Sequence, residues 1–322
     1  VFKFDDLNLY AFSPWIHYPL TIKDGTGSLS INIEFKNGKL KEGGSTFSVQ
    51  NLNANTIDNS KQGLIFNDIS GEINYKLIDD DIDIILDNLF LTTNSKLQFE
   101  DSAASIKYNL KDNQINKLTL TVDRFDLGSV KEISNQFLPE EHRANVIIND
   151  LSAKGEIDDL KLKWHKTKDK EEPSLKLKAK LLEIEINEFE NFPGLKNITG
   201  EIKIENEKGI IRSVSRNLII TKKDVFRAPL KLNQFSGSVN WDNEKYSFND
   251  VAVKDDYMEA ILNGTVKYKN LDNLYVDINL DSPSLSIPNF KVYYPKQIGK
   301  DGLGWLDTSL LKGVAQNTNI QM

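Results

Sequence analysis

The chain has 322 residues, 39% of them hydrophobic, a net charge of -7 and no cysteine. The missing thiols exclude disulfides, thiolate catalysis and Cys-type zinc sites, and leave the redox compartment open. Basic residues interleaved with acids throughout give no electrostatic reason for a nucleic-acid partner, and no apolar run approaches the ~20 residues of a membrane-spanning helix.

The hydrophobic share is low, but the apolar residues fall in alternating runs. That pattern reads as one-sided sheets rather than disorder. The chain begins at Val1 without a signal peptide, as an internal piece of a longer protein would.

Residues 7–10 and 15–20 open the chain with little pattern. Leu29, Ile31, Ile33 and Phe35 then alternate with polar residues up to Asn37-Gly38, a strong hairpin signal. Residues 46–52 predict a second strand, with Phe47 and Val49 on one face. Residues 64–77 predict a third, with Ile73, Tyr75 and Leu77 in phase. The acidic turn at Asp79-Asp80-Asp81 leads to Ile82, Ile84 and Leu86. Leu97 and Phe99, then Ile106, Tyr108 and Leu110, then Leu118, Leu120 and Val122 continue the up-and-down rhythm.

The period changes at Ser129. Val130, Ile133 and Phe137 stand at helical spacing, with Ser129 as cap, Glu132 completing a capping box and Pro139 ending the turn. Strands are expected to resume at Val146 and to run through Leu160, Leu162 and Trp164. The charged run 165–173 reads as a loop. Leu175, Leu177, Ala179 and Leu181 alternate, and Leu182, Ile184 and Ile186 continue one residue out of phase, as a β-bulge would produce.

The organising stretch is residues 195–280. Ile198-Thr199-Gly200-Glu201-Ile202, Phe235-Ser236-Gly237-Ser238-Val239 and Leu262-Asn263-Gly264-Thr265-Val266 share one pattern of apolar, any, glycine, polar, apolar. Ile69 to Ile73 and Ala153 to Ile157 repeat it, and Thr26 to Leu29 is a weaker copy. Side chains on a strand alternate between faces, so each segment has a greasy face and a wet face, with the glycine in phase with the greasy one. Turns are expected at 206–209, 242–245 and 270–273. After Pro283 and Pro288 the alternation ends, and Leu303, Leu306 and Leu310 share a helix face that Gly313 closes. The fold class is mostly β: an elongated, mostly antiparallel sheet with two short helices.

No arrangement in the sequence carries chemistry. His17, His142 and His165 are scattered, and 79–83 lacks the glycine and terminal glutamate of a calcium loop. The pairs Asp158-Asp159 and Asp255-Asp256 would face opposite ways on a strand, which does not suit a glycosidase. No nucleophile elbow, P-loop or dinucleotide fingerprint is present. The reading is therefore not an enzyme, with no cofactor and no metal. What remains is the apolar face, which either packs into a closed dry core, as in a structural or adhesin-like envelope sandwich or barrel, or lines an open trough.

Three segments resemble YhdP-like proteins of the bacterial AsmA-like superfamily. One is Phe192-Pro193-Gly194-Leu195 leading into Ile198-Thr199-Gly200. The next is Ala228-Pro229-Leu230 followed by Phe235-Ser236-Gly237-Ser238-Val239-Asn240-Trp241. The third is Tyr293-Tyr294-Pro295 with Gly304-Trp305-Leu306 and Gly313. The resemblance is firm over about 164–313 and diffuse before it.

It implies a β-taco, a long, twisted, U-shaped sheet with an apolar concave side that guides phospholipid acyl chains between inner and outer bacterial membranes. It also implies a periplasmic location in a Gram-negative bacterium, with an inner-membrane anchor and membrane contacts outside this chain. Segments are then 1–126, a first part of the groove; 127–140, a short amphipathic helix; 141–282, a second part; and 283–322, loop and terminal helix. About 16 strands at ~4.8 Å spacing would extend roughly 75 Å.

The expected lining is the register-matched set. It comprises Ile198, Ile202 and Ile204; Phe235, Val239 and Trp241; Leu262, Val266 and Tyr268; and Leu274, Val276, Ile278 and Leu280. Ile31, Ile33, Ile73, Tyr75, Ile106, Tyr108, Leu118 and Leu120 extend it. The helix at 130–137 is expected to plug or rim the trough, or to cover a sheet edge.

Overall fold

Alternation at a period of two becomes strands almost everywhere it occurs. A computed structural model of the chain describes residues 1–12, 21–36, 39–55, 64–94, 98–109, 114–137, 141, 143–166, 173–190, 192–268 and 274–321. Expectations placed on residues 15–20, 37–38, 97, 110, 139, 142, 167–172 and 270–273 lie outside the described residues. Among those described, sixteen strands form one antiparallel sheet in which each strand is hydrogen-bonded to its neighbours in sequence. The first and last strands have one neighbour each, so the sheet is open and not closed.

The chain divides into two compact units, residues 1–148 with 156–179, and 149–155 with 180–322. The first holds β1 (Phe2–Asn8), α1 (Leu9–Phe12), β2 (Thr21–Lys36), β3 (Lys39–Asn55), β4 (Leu64–Ile78), β5 (Asp81–Thr93), β6 (Gln98–Asn109), β7 (Gln114–Asp126) and α2 (Leu127–Phe137). It also holds most of α3 (Arg143–Leu151), most of β8 (Lys154–His165) and the start of β9 (Ser174–Ile186).

β7 and β8 pair directly, from Lys117 with His165 to Asp126 with Glu156, so α2 and α3 are an excursion at one end of that hairpin. The α2 start corrects the expected cap. Asp126 Oδ1, not Ser129, is the capping acceptor, taking the Ser129 amide at 3.0 Å and its hydroxyl at 3.2 Å. Val146 lies in α3, where a strand was expected; its helical neighbours Ile147 and Ile148 form too short an apolar run to distinguish helix from strand by pattern. A buried hydrogen bond from Ser134 Oγ to Asn145 Oδ1, 2.6 Å, ties the two helices.

The second unit holds the end of β9, then β10 (Gly194–Glu205), β11 (Lys208–Thr221), β12 (Leu230–Asp242), β13 (Lys245–Lys254), β14 (Met258–Tyr268) and β15 (Leu274–Ser286). After it come α4 (Ile287–Phe290), two 3-10 turns (Lys291–Tyr293 and Lys296–Ile298), α5 (Lys300–Ser309) and β16 (Val314–Gln321). Tight turns at 206–207 and 243–244 mark one edge of this unit, and the longer connections 222–229 and 287–313 leave from the other. Two sequence expectations change here. β15 continues through Pro283 to Ser286, because the pairing skips Pro283 on both sides and needs no amide from it. Residues 314–321, grouped above with the terminal helix, form a further strand that pairs with β15.

Most strands carry one interruption of their regular backbone. Asp6, Asn51, Asn88, Asp159, Glu183, Asn197, Asn217, Asp250 and Asn317 all sit inside strands with φ between 47° and 63°. Pairing registers shift beside Asp6, Asn88, Asn197 and Asp250, as at β-bulges. Asn and Asp accept this left-handed backbone because their short polar side chains hydrogen-bond locally. The phase slip read in the 175–186 run is one of these bulges: Ala179 and Leu181 are buried, Glu183 has φ 51°, and Ile184 is the next buried residue.

Candidate functional site

Strand registers determine which side chains share a face. In the second unit, Ile202, Ile211, Val239, Phe248, Gly264 and Ile278 are paired partners strand by strand and make one row. Ile204, Gly209, Trp241, Tyr246, Val266 and Val276 make the next row towards the tight turns. Tyr268 and Leu274 are paired one step further in the same phase. Towards the other edge, Val251, Leu262, Leu280 and Ile320 form a row, and Phe235, Val253 and Ala260 another; Ile198 is buried in the stretch of β10 between Lys196 and Gly200 where the pairing with β11 shifts. The alternate positions, among them Arg212, Ser238, Asn240, Ser247 and Thr265, form the opposite, polar face.

Burial is graded along these rows. Leu218, Leu232, Val251, Val253, Ala260 and Leu280 are buried, whereas Ile202, Ile204, Ile211, Val239, Trp241, Phe248, Val266, Val276 and Ile278 are only half-buried. An apolar face that stays half open towards one edge is unlike a filled core, where side chains are packed on all sides. Burial first, and then the Glu244 carboxylate, push the Tyr246 phenol above its ordinary range.

Glycine and serine explain how this face keeps its form. Gly264 has φ 144°, and a Cβ there would lie 2.7 Å from Ile278 Cα and closer still to the Asp277 carbonyl oxygen. The neighbouring backbone occupies the place of a side chain. At the β10 bulge the Thr199 amide donates to Ser215 Oγ (2.9 Å), and Ser213 Oγ donates to the Thr199 carbonyl (2.8 Å). Both serines are buried on the apolar face, so their hydroxyls satisfy backbone groups that the ladder leaves out. Ser282 does the same for the Glu259 carbonyl (2.7 Å), and Asn263 Oδ1 accepts the Asp250 amide (2.8 Å).

The first unit repeats the rows, but Phe2, Ile33 and Ile73 in them are exposed rather than half-buried. Phe2, Ile31, Ser45, Ile73, Leu86, Ala104, Leu120 and Leu162 form one row of paired residues. Ile33, Gly43, Tyr75, Ile84, Ile106, Leu118 and Trp164 form the next. Tyr108 follows in phase, paired with Ile82 and Ile115. A hollow of about 550 Å³ is lined mostly from the other face, by Ser30, Asn32, Thr46, Glu72, Asn74 and Ile85 among others, and is bordered by Gly43, Ser45 and Tyr75 of the rows. Two of its carboxylates lie near lysines: Lys41 is 3.6 Å from Glu34 and Lys76 is 3.9 Å from Glu42.

By register, Phe235, Val239, Trp241, Ile202, Ile204, Leu262, Val266, Val276, Ile278 and Leu280 of the expected lining share a face in the second unit, and Ile31, Ile33, Ile73, Tyr75, Ile106, Tyr108, Leu118 and Leu120 share one in the first. The sequence reading missed Ile211, Tyr246, Phe248, Val251 and Val253. In β11 the Ile210-Ile211 doublet and the two buried serines blur the phase. In β13 the bulge at Asp250 moves the apolar phase from even to odd positions. The carboxylates weighed for chemistry have structural partners. Asp81 holds Lys107 (3.0 Å) and Asn109 (2.7 Å), and Asp158 accepts from Arg124 Nε (2.7 Å) and Nη2 (3.0 Å). Asp255 accepts the amides of Tyr257 and Met258 and the Tyr293 hydroxyl. Among the described residues, no three metal-binding side chains converge, and no helix is long and apolar enough to cross a membrane.

The sequence model of the YhdP protein family matches residues 2–322. The chain belongs to the YhdP family. No curated protein and no solved structure matches it. The YhdP match takes in the rows of β2 to β8 as well as those of β10 to β16, so it reaches well beyond the segments 164–313 on which the sequence resemblance was firm.

Proposed function

We propose that this chain is a module of a lipid-transfer conduit, whose apolar face shelters phospholipid acyl chains as they move between the inner and outer membranes of a bacterial envelope. The observation that carries the reading is the set of continuous apolar rows, which pass from strand to strand yet remain half open towards the tight-turn edge. YhdP family membership supports it. The expected lining residues, from Ile31 and Ile33 to Ile278 and Leu280, are then the contact surface. On this reading the chain itself lies in the periplasm, and other parts of the protein supply the inner-membrane tether and the membrane contacts. The reading is non-catalytic and needs no cofactor.

The physical basis is transfer from water. Each buried methylene is worth about 0.8 kcal/mol, so drawing a chain of ~16 carbons into water costs roughly 12 kcal/mol. A greasy row at every strand offsets most of that without one tight site, and the head group stays in solvent. Weak, repeated contacts suit onward movement, because strong binding at one point would halt it.

The alternative, an adhesin-like sandwich or barrel with a dry core, needs a closed apolar interior. The single neighbour of β1 and of β16 weighs against a barrel. A photocrosslinking amino acid at Val239 or Ile202, with Asn240 on the opposite face as control, tests the proposal in cells. Phospholipid adducts at 239 and 202 but not at 240 are expected. Equal or absent adducts at all three positions overturn it.

A further inference from the structure

The excursion between β15 and β16 leaves the sheet and returns to it at adjacent places, since Ser286 pairs with Val314 and the Ile287 amide donates to the Gly313 carbonyl at 3.1 Å. Its two arms are held differently. The first arm is anchored by aromatic packing: Phe290 is buried, with ring centroids 5.4 Å from Tyr293 and 5.5 Å from Tyr294, and the Tyr293 hydroxyl donates to Asp255. The turn that follows is tied to the 222–229 connection. The Lys296 amide donates to Val225 O (2.9 Å), Lys296 Nζ to Lys223 O (2.7 Å) and Gln297 Nε2 to Asp224 O (3.0 Å).

The second arm, α5 and the residues up to Gly313, lacks a buried aromatic anchor of that kind. None of its helical residues is buried, and Trp305 and Leu311 are 63% and 65% exposed. An ion pair ties it to the 222–229 connection: Arg227 Nη1 donates to both Asp307 oxygens, at 2.9 and 3.1 Å. Gly299 (φ 85°) and Gly313 (φ 120°) stand at its two ends. Arg227 comes three residues before Leu230, at the edge where the apolar rows are most deeply buried, among them Leu230, Leu232, Val253, Met258 and Leu285. Leu303, Leu306 and Leu310 are half-buried and no residue from 300 to 313 is buried, and a segment without buried residues belongs to the low-stability end of a structure.

We propose that residues 300–313 are a flap latched by the Arg227–Asp307 pair, and that its release gives an acyl chain lateral access to the buried rows at this edge. The access half of this rests on the conduit reading; the latch half does not. The test compares the chain with its Asp307→Asn and Arg227→Ala variants by hydrogen exchange. In each variant, exchange over 300–313 should rise about two- to fivefold, the range expected for loss of a partly exposed ion pair, while β12 to β14 stay unchanged. A photocrosslinker at Leu232, presented with phosphatidylethanolamine–phosphatidylglycerol vesicles, should then give severalfold more lipid adducts in Asp307→Asn, with adducts at Val239 unaltered.

Unchanged exchange over 300–313 overturns the latch. Faster exchange with constant adducts at Leu232, while Val239 is labelled, overturns the flap as a gate. Absence of adducts at both sites in every variant sinks the conduit reading and the access claim with it, and leaves the exchange result to decide the latch.

Discussion

Replacing Gly264 by alanine tests the claim that the neighbouring backbone, not a side chain, fills the space beside this residue. The backbone there has φ 144°, which costs an L-residue about 1–2 kcal/mol. The added methyl would also sit 2.7 Å from Ile278 Cα on the adjoining strand, an overlap that only backbone movement can relieve, at about 1–3 kcal/mol. Together these predict a loss of about 2–5 kcal/mol for Gly264→Ala, or roughly 5–15 °C in the melting midpoint of a unit of this size. Gly304 is the internal control. It lies in α5, where a methyl would meet nothing within 4 Å, so Gly304→Ala should gain about 0.5–1 kcal/mol of local helix stability. Thermal and urea unfolding of the two variants decide the matter. A Gly264→Ala protein within about 1 kcal/mol of the parent would refute the close approach of β14 and β15.

Other expectations concern single interactions. Val239→Asp places a charge in the middle of a half-open apolar row; lipid adducts at Ile202 should fall at least tenfold while the melting midpoint moves by only a few degrees, and global unfolding would instead indicate a filled core. Ser215→Ala removes the acceptor of the Thr199 amide and should cost about 1–3 kcal/mol in urea unfolding. Tyr293→Phe removes a hydrogen bond to a carboxylate and should cost about 2 kcal/mol. Burial, with Asp255 adding to it, holds the Tyr293 phenol well above its ordinary range, so its contribution is complete below the unfolded value of about 10 and is lost as pH rises through the folded one. That alkaline loss should vanish in Tyr293→Phe. The hydrogen bonds from Arg227 hold the Asp307 carboxyl below its ordinary range, so the latch contributes above the unfolded value of about 3.9 and weakens as pH falls through the folded one; exchange over 300–313 at descending pH reads this directly.

The strands were legible because one face of each is apolar, and a period of two is hard to mistake when it runs for six residues. The recurring glycine was legible as a feature of the apolar phase, and its reason, the backbone of an adjoining strand pressed against it, emerges only once the strands are paired. The bulges were mostly hidden. Only the slip at Leu181-Leu182 announced itself, because apolar residues flank it on both sides. At Asn197, Asn217 and Asp250 the bulged residue is an ordinary polar side chain in an ordinary polar position. The same bulge in β13 hid Val251 and Val253 from the face to which they belong. Helix α3 was missed because Val146-Ile147-Ile148 suits either period, and β16 because Val314 to Gln321 holds too few apolar residues to show any. The apolar face itself could be assigned from sequence in the strands where phase is unbroken, and only there.

The strand order carries a consequence for how such a chain can be built and altered. Because every strand bonds to the one just made, closing each new pair requires only a local connection, the longest being the helical detours between β7 and β8 and between β15 and β16, with the short helix α1 between β1 and β2. Early hairpins can zip up while later ones are still unfolded or still in transit. Duplication or deletion of a whole hairpin would leave all other pairings intact, so evolution could set the reach of such a protein in two-strand increments.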